Sequence, residues 1–144
     1  MTDFDAAAPG YDEVAESALG RALRQRVSHV VGRFVHAGSA VLDLGAGTGL
    51  DALAYVEGGA SVTAVEQSSA MAAIARTRLI DRAVVINADV LDVELPPAAY
   101  DLVVSNFGML NCLPSLSDFG ERVAKWCRRD ATLVLVVMGR WVPW

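Results

Sequence analysis

Cysteine is nearly absent from this 144-residue chain: Cys112 and Cys127 are the only two, and they form no C-x-x-C pair. The two histidines, His29 and His36, have no other candidate ligand close by in sequence. A disulfide framework and a metal site both lack support, and the cysteines read as buried or idle thiols. Long hydrophobic runs are missing too. Leu133 to Met138, as long as any, falls far short of the roughly 20 residues that a membrane helix needs. The acidic start, with Asp3 and Asp5, has neither the basic nor the apolar region of a signal peptide. These absences predict a cytoplasmic protein with no membrane partner. Charge is sparse, at 20% of residues, and 12 Lys and Arg against 17 Asp and Glu leave a net −5. That balance excludes a generic binder of phosphate backbones and predicts no nucleic-acid partner, although it leaves a local basic patch open.

What is present is apolar material, 53% of residues with a mean hydropathy of +0.37, which excludes intrinsic disorder. The length suits one domain, able to bury roughly 68% of its unfolded surface. Apolar runs alternate with helical periodicity and no internal repeat or linker interrupts them, the pattern of one α/β unit. The spacing predicts an amphipathic helix over Leu19 to Val35, with Leu19, Leu23, Val27, Val30, Val31 and Phe34 on its apolar side. Arg21, Arg24, Arg26 and Arg33 then form a solvated face, offset by Asp3, Asp5, Asp12, Glu13 and Glu16. Strands are expected at Ala40–Leu44, Ser61–Val65, Ala83–Asn87, Asp101–Ser105 and Thr132–Val137. Helices are expected at Leu50–Glu57, ended by Gly58-Gly59, and at Ser69–Leu79, capped by Ser68. A last helix after Pro114 carries Phe119, Val123 and Trp126 behind an Asp118/Glu121 capping box. Strands without polar alternation, joined by helices, argue for a mainly parallel sheet covered on both faces.

The sharpest chemical signal is Asp43-Leu-Gly-Ala-Gly-Thr-Gly49, at the junction of the first strand and its helix. Glycines there allow a tight turn and let a ligand approach the backbone at a helix N-terminus. The dinucleotide fingerprint G-x-G-x-x-G is not met, because Leu50 stands where its last glycine would be. The nucleoside-triphosphate loop G-x-x-x-x-G-K-[ST] is absent as well. Glu66 closes the second strand at the distance where a carboxylate can take both hydroxyls of a ribose. The pattern points to a ligand carrying ribose without a pyrophosphate.

Taken together, these segments resemble the class I S-adenosylmethionine-dependent methyltransferases over nearly the whole chain. Asp43 with Gly45, Ala46, Gly47 and Gly49 is similar to the family's first motif, where glycines make room for the methionine part of the cofactor and the aspartate orients its amino group. Glu66-Gln-Ser-Ser-Ala-Met71 looks like the acidic loop, which implies Glu66 on the ribose with Gln67 and Met71 near adenine. Ala88-Asp89-Val90 resembles the segment where the aspartate takes the adenine amino group and the backbone of the next residue reads the ring. Ser105-Asn106 ends the fourth strand where the family lines the methyl donor. Tyr11-Asp12, with Phe4 and Ala8, looks like an N-terminal lid over the methionine end.

The resemblance implies a Rossmann-like three-layer sandwich. Residues 1–38 would form a helical lid and residues 39–144 the S-adenosylmethionine-binding core. The implied reaction is in-line transfer of a methyl group to a small-molecule acceptor, with S-adenosylhomocysteine as product. Three departures narrow it. Asn106-Phe-Gly-Met109 is not the N-P-P-Y signature of the DNA and glutamine N-methyltransferases. Asn111-Cys112 stands where many small-molecule members carry a His pair, so no acid-base residue is evident. Arg128-Arg-Asp-Ala131 replaces the usual proline-glycine turn before the fifth strand. The family's C-terminal antiparallel strands are not represented. The edge at Thr132 to Val137, next to Trp141 and Trp144, is therefore expected to be covered by a second copy, by a partner chain or by further polypeptide. A non-catalytic S-adenosylmethionine-binding module and an NAD-type oxidoreductase are the alternative readings.

Overall fold

A computed structural model describes residues 4–139 of the chain. Two helices, α1 (Phe4–Ala15) and α2 (Ala18–Val31), precede β1 (Ala40–Leu44), α3 (Leu50–Glu57), β2 (Ser61–Glu66), α4 (Ser69–Arg78) and β3 (Val84–Asn87). Then come β4 (Tyr100–Ser105), a 3-10 turn (Met109–Cys112), α5 (Leu116–Trp126) and β5 (Cys127–Leu135). The five strands make one parallel sheet in the order β3-β2-β1-β4-β5. From β1 the chain steps outward to β2 and β3, then returns to β4 on the other side of β1. The loops that leave β1 and β4 therefore diverge at the carboxyl ends of these strands, the place where open α/β sheets hold ligands.

Alternating residues of each strand feed two cores. Val41, Val62, Ala64, Leu102 and Val104 pack with Val31 of α2, Ala52 and Tyr55 of α3, and Ala75 and Leu79 of α4. Leu42, Leu44, Val65 and Val103 pack on the opposite face with Leu110, Phe119, Val123 and Trp126. Both faces of β1 and β4 are buried, which explains why these strands read as continuous apolar runs. Helix α1 packs on α2 and α4, so the N-terminal segment is seated on the sheet domain.

Three local expectations shift. The helix expected over Leu19 to Val35 ends at Val31, with Gly32 donating back to Ser28. The cap of α5 is Ser115, whose Oγ accepts from Asp118 N, so Asp118 lies within the first turn and is not the cap. This places the acid where it faces the positive end of the helix dipole. Arg128 to Ala131 forms no separate turn and lies inside β5, where the register with β4 jumps from Tyr100↔Cys127 to Leu102↔Thr132. Asp130 takes φ 66° in that bulge. Asp101 holds the bulge in place by accepting from Arg128 at 2.8 Å, and it also accepts from Ala40 N at 2.8 Å. Beside the bulge, β5 is the last strand of the sheet, and Leu133, Leu135 and Val137 are exposed. They line an apolar groove of about 660 Å³ against Leu116, Phe119 and Val123 of α5. Trp141 and Trp144 lie outside the described residues.

Candidate functional site

The turn after β1 is held in a shape only glycine adopts cheaply, with φ 73° at Gly45, 57° at Gly47 and 80° at Gly49. Gly45 N and Ala46 N donate to the Val65 carbonyl at 2.9 and 3.1 Å, which ties the turn to the end of β2. One carboxylate then clamps two elements. Glu66 Oε2 accepts from Gly47 N and Oε1 from Ser68 N, both at 2.8 Å, so it joins the glycine turn to the start of α4. Each of these oxygens keeps a second lone pair for a ligand hydroxyl.

A Cβ built on Gly45 would lie 2.7 Å from Met109 Cγ. Gly45→Ala therefore combines a clash with a strained φ, and it is expected to lower stability by about 1–3 kcal/mol. Thermal melting checks this value. Gly47 faces a different wall. Its Cβ would stand 3.6 Å from Tyr11 Cε1 and 3.9 Å from Met71 Sδ, so the Tyr11 ring and the Met71 thioether both border the turn.

Helix α1 is fastened over this turn by two aspartates. Asp5 Oδ1 accepts from Ser68 Oγ at 2.6 Å and Ala70 N at 3.1 Å, adding a second cap to α4. Asp12 accepts from Thr48 Oγ1 at 2.5 Å and pairs with Arg78, which also donates to the Thr48 carbonyl. Burial raises the Asp12 pKa, but the Thr48 and Arg78 contacts outweigh it and hold the carboxyl below its ordinary value.

Asp43 is buried, and its Oδ2 has no partner. Burial pushes its pKa well above the ordinary value, the nearby Asp51 and Glu66 carboxylates push it further, and Arg24 opposes them. At the end of β4, Asn106 is 6% exposed. Its Nδ2 donates to Asp51 Oδ2 and Tyr55 Oη, both at 3.1 Å, while its Oδ1 has no partner. Arg24 pairs with Asp51 at 2.7 Å and lies 4.7 Å from the centre of the Phe107 ring. Burial, with Asp43 and then Asp51 nearby, keeps the Tyr55 phenol neutral. Burial raises Tyr11 too, partly offset by Arg24.

The fold thus brings Tyr11, Asp43, Gly45, Ala46, Gly47, Glu66, Met71 and Asn106 to the ends of β1, β2 and β4. Gln67, Asp89 and Val90 sit farther along, at the β2 and β3 side. Gln67 Nε2 donates to Asp89 Oδ2 at 2.9 Å, and Asp89 Oδ1 accepts from Leu91 N at 2.7 Å. The Val90 side chain is turned into the core. Asn111 is held apart. Its amide exchanges hydrogen bonds with the backbone of Met138, at 2.9 Å from Met138 N and 3.0 Å to Met138 O, so it anchors the segment after β5. Sequence reasoning missed Arg24, Asp51 and Tyr55. The spacing of Asp51 and Tyr55 on one helix face could have suggested a pair, but nothing local links either to Asn106.

The arrangement is that of an α/β protein with a candidate ligand site at the switch point of a parallel sheet, bordered by acceptors and by helix α1. Comparison with known proteins makes the class definite. The methyltransferase domain family matches residues 41–130. An uncharacterized methyltransferase of Geobacillus sp. (strain WCH70) is 31% identical over 123 residues, covering 85% of this chain and 55% of the relative. Among solved structures, an S-adenosylmethionine-dependent methyltransferase of Methanococcus maripaludis superposes with a TM-score of 0.80 at 19% identity, over 94% of this chain and 64% of that one. The [4+2]-cyclase SpnF superposes with a TM-score of 0.81 at 19% identity, over 92% and 57%. The chain belongs to the methyltransferase domain family and carries the class I S-adenosylmethionine-dependent methyltransferase fold. It spans little more than half the length of the Geobacillus relative.

Proposed function

We propose that this chain binds S-adenosylmethionine at this site and serves methyl transfer to a small-molecule acceptor by in-line displacement. The observation that carries the reading is that Asp43 Oδ2 and Asn106 Oδ1, two of three buried side-chain polar atoms without partners among the described residues, Ser105 Oγ being the third, lie at the strand ends beside a glycine turn shaped for a ligand. Buried acceptors are costly unless a donor arrives, and an ammonium group supplies several. Asp43 and Asn106 would take that amino group, Glu66 the ribose hydroxyls, and Asp89, with the Val90 backbone, the adenine edge, once Gln67 yields its hold on Asp89. Tyr11 and Met71 would exclude water over the turn. When bound, S-adenosylmethionine supplies a methyl group activated by its sulfonium. The residues here contribute alignment and desolvation, and methyl displacement depends chiefly on those. Asn106 has no basic atom with which to take an acceptor's proton.

Cytoplasmic location belongs to the same reading, as does coverage of the open β5 edge by a second copy, a partner chain or further polypeptide. Among the described residues no helix is long and apolar enough to cross a membrane. SpnF has this fold and a different name for its chemistry, so the test begins with the ligand. Titration calorimetry is expected to show one-to-one binding of S-adenosylmethionine and none of NAD. An absence of S-adenosylmethionine binding overturns the reading.

A further inference from the structure

The sequence places no acidic residue between Glu16 and Asp43, yet that stretch carries Arg21, Arg24, Arg26, Arg33, His29 and His36 in a chain whose net charge is −5. The acids of the N-terminal segment were expected to offset these arginines, but the structure spends two of them elsewhere. Asp5 is turned onto Ser68 and Ala70, and Asp12 onto Thr48 and Arg78. Glu13 on α1 and Glu16 in the turn after it remain exposed.

The apolar side of α2 is likewise only half used. Val31 is buried and Val27 packs against the core, whereas Leu19, Leu23 and Val30 are 71%, 48% and 43% exposed. At ~100° per residue these three fall within about 40° of one another, with Arg26 about 20° to one side. Arg26, His29 and Arg33 are exposed and make no ion pair among the described residues, while Arg24 is committed to Asp51.

Against the expectation of no membrane partner, which rested on the lack of a spanning segment, we propose that the outer face of α2, with the turn that follows it, is a docking surface for an anionic phospholipid membrane, with Leu19, Leu23 and Val30 entering the interface and Arg26 of the helix and Arg33 of the turn meeting the headgroups. An aliphatic stripe flanked by unpaired arginines is the pattern of a helix lying in a membrane surface. A nucleic acid would use the arginines and gain nothing from the stripe. A second copy would bring the same positive charges against each other. The surface concerns attachment only, and it is independent of the cofactor reading.

The experiment is sedimentation of the full chain with vesicles of phosphatidylcholine, alone or mixed with phosphatidylglycerol. Binding is expected to the anionic vesicles at low salt and to fall away at high salt. The pair Leu19→Glu with Leu23→Glu, and separately Arg26→Glu with Arg33→Glu, should each lower the partition coefficient about tenfold or more. All four positions are exposed, so melting temperatures should stay at the wild-type value. No binding, equal binding to neutral vesicles, or unchanged partition in both variants overturns the proposal. So does RNA binding that ignores the leucine changes, or a dimer that the leucine changes dissolve.

Discussion

Replacing Glu66 with alanine is expected to weaken S-adenosylmethionine binding about a hundredfold or more while the sheet stays intact. Glu66 accepts from Gly47 N and Ser68 N, so its loss frees the glycine turn from α4 and leaves two backbone donors without partners. Charge-assisted bonds of this kind contribute about 1.5–3 kcal/mol each, and about 1.4 kcal/mol is a factor of ten in affinity. Glu66→Gln keeps one acceptor oxygen but aims an amide donor at a backbone donor, so an intermediate loss of about tenfold is expected. Calorimetry measures both, with circular dichroism to check the fold. Affinity within threefold of wild type in the alanine variant removes Glu66 from the ligand's contacts.

The second large effect is a trade of binding for stability at Asp43. The residue is 2% exposed and its Oδ2 has no donor, so burial first, and then the Asp51 and Glu66 carboxylates, make its ionised form costly in the folded protein. Its folded pKa lies above the unfolded value of about 3.9. Between those two values the native state keeps a proton that the unfolded chain has released, so stability falls as pH rises through that window and is level above it. Asp43→Asn has no such titration. It is expected to be more stable than wild type at neutral pH by about 1–2 kcal/mol, with the difference shrinking as pH falls toward 4. The same change removes the charge that a ligand ammonium would meet, so S-adenosylmethionine affinity should fall tenfold or more. Thermal melting across pH and calorimetry at neutral pH test the two halves separately. A variant less stable than wild type with unchanged affinity overturns both.

Much of the site was legible because its parts are local. The requirement for positive φ at Gly45, Gly47 and Gly49 is written in the residue type, and the cap of α4 by Ser68 is a matter of three residues. The capping of α5 was misassigned to Asp118 because an acid in a first turn and an acid at a cap look alike until Ser115 Oγ is seen accepting from Asp118 N. Over Leu19 to Val35 the periodicity marked six apolar residues as one inward side, but the segment contacts the core only through Val27, Val31 and Phe34. Leu19, Leu23 and Val30 were left outside.

By itself the sequence determined the alternation of strands and helices, the place of the glycine turn and the acid that closes β2, since each depends on a few neighbouring residues and their backbone preferences. Only the tertiary structure decided what surrounds the candidate ligand site. Arg24 meets Asp51 across 27 residues and Asn106 meets Asp51 across 55. Asp5 reaches Ser68 across 63. Those meetings follow from the strand order β3-β2-β1-β4-β5, which lays the ends of β1 and β4 side by side and seats α1 on α4. No periodicity along the chain encodes them, because the charges that pair there look, in sequence, like any solvated face.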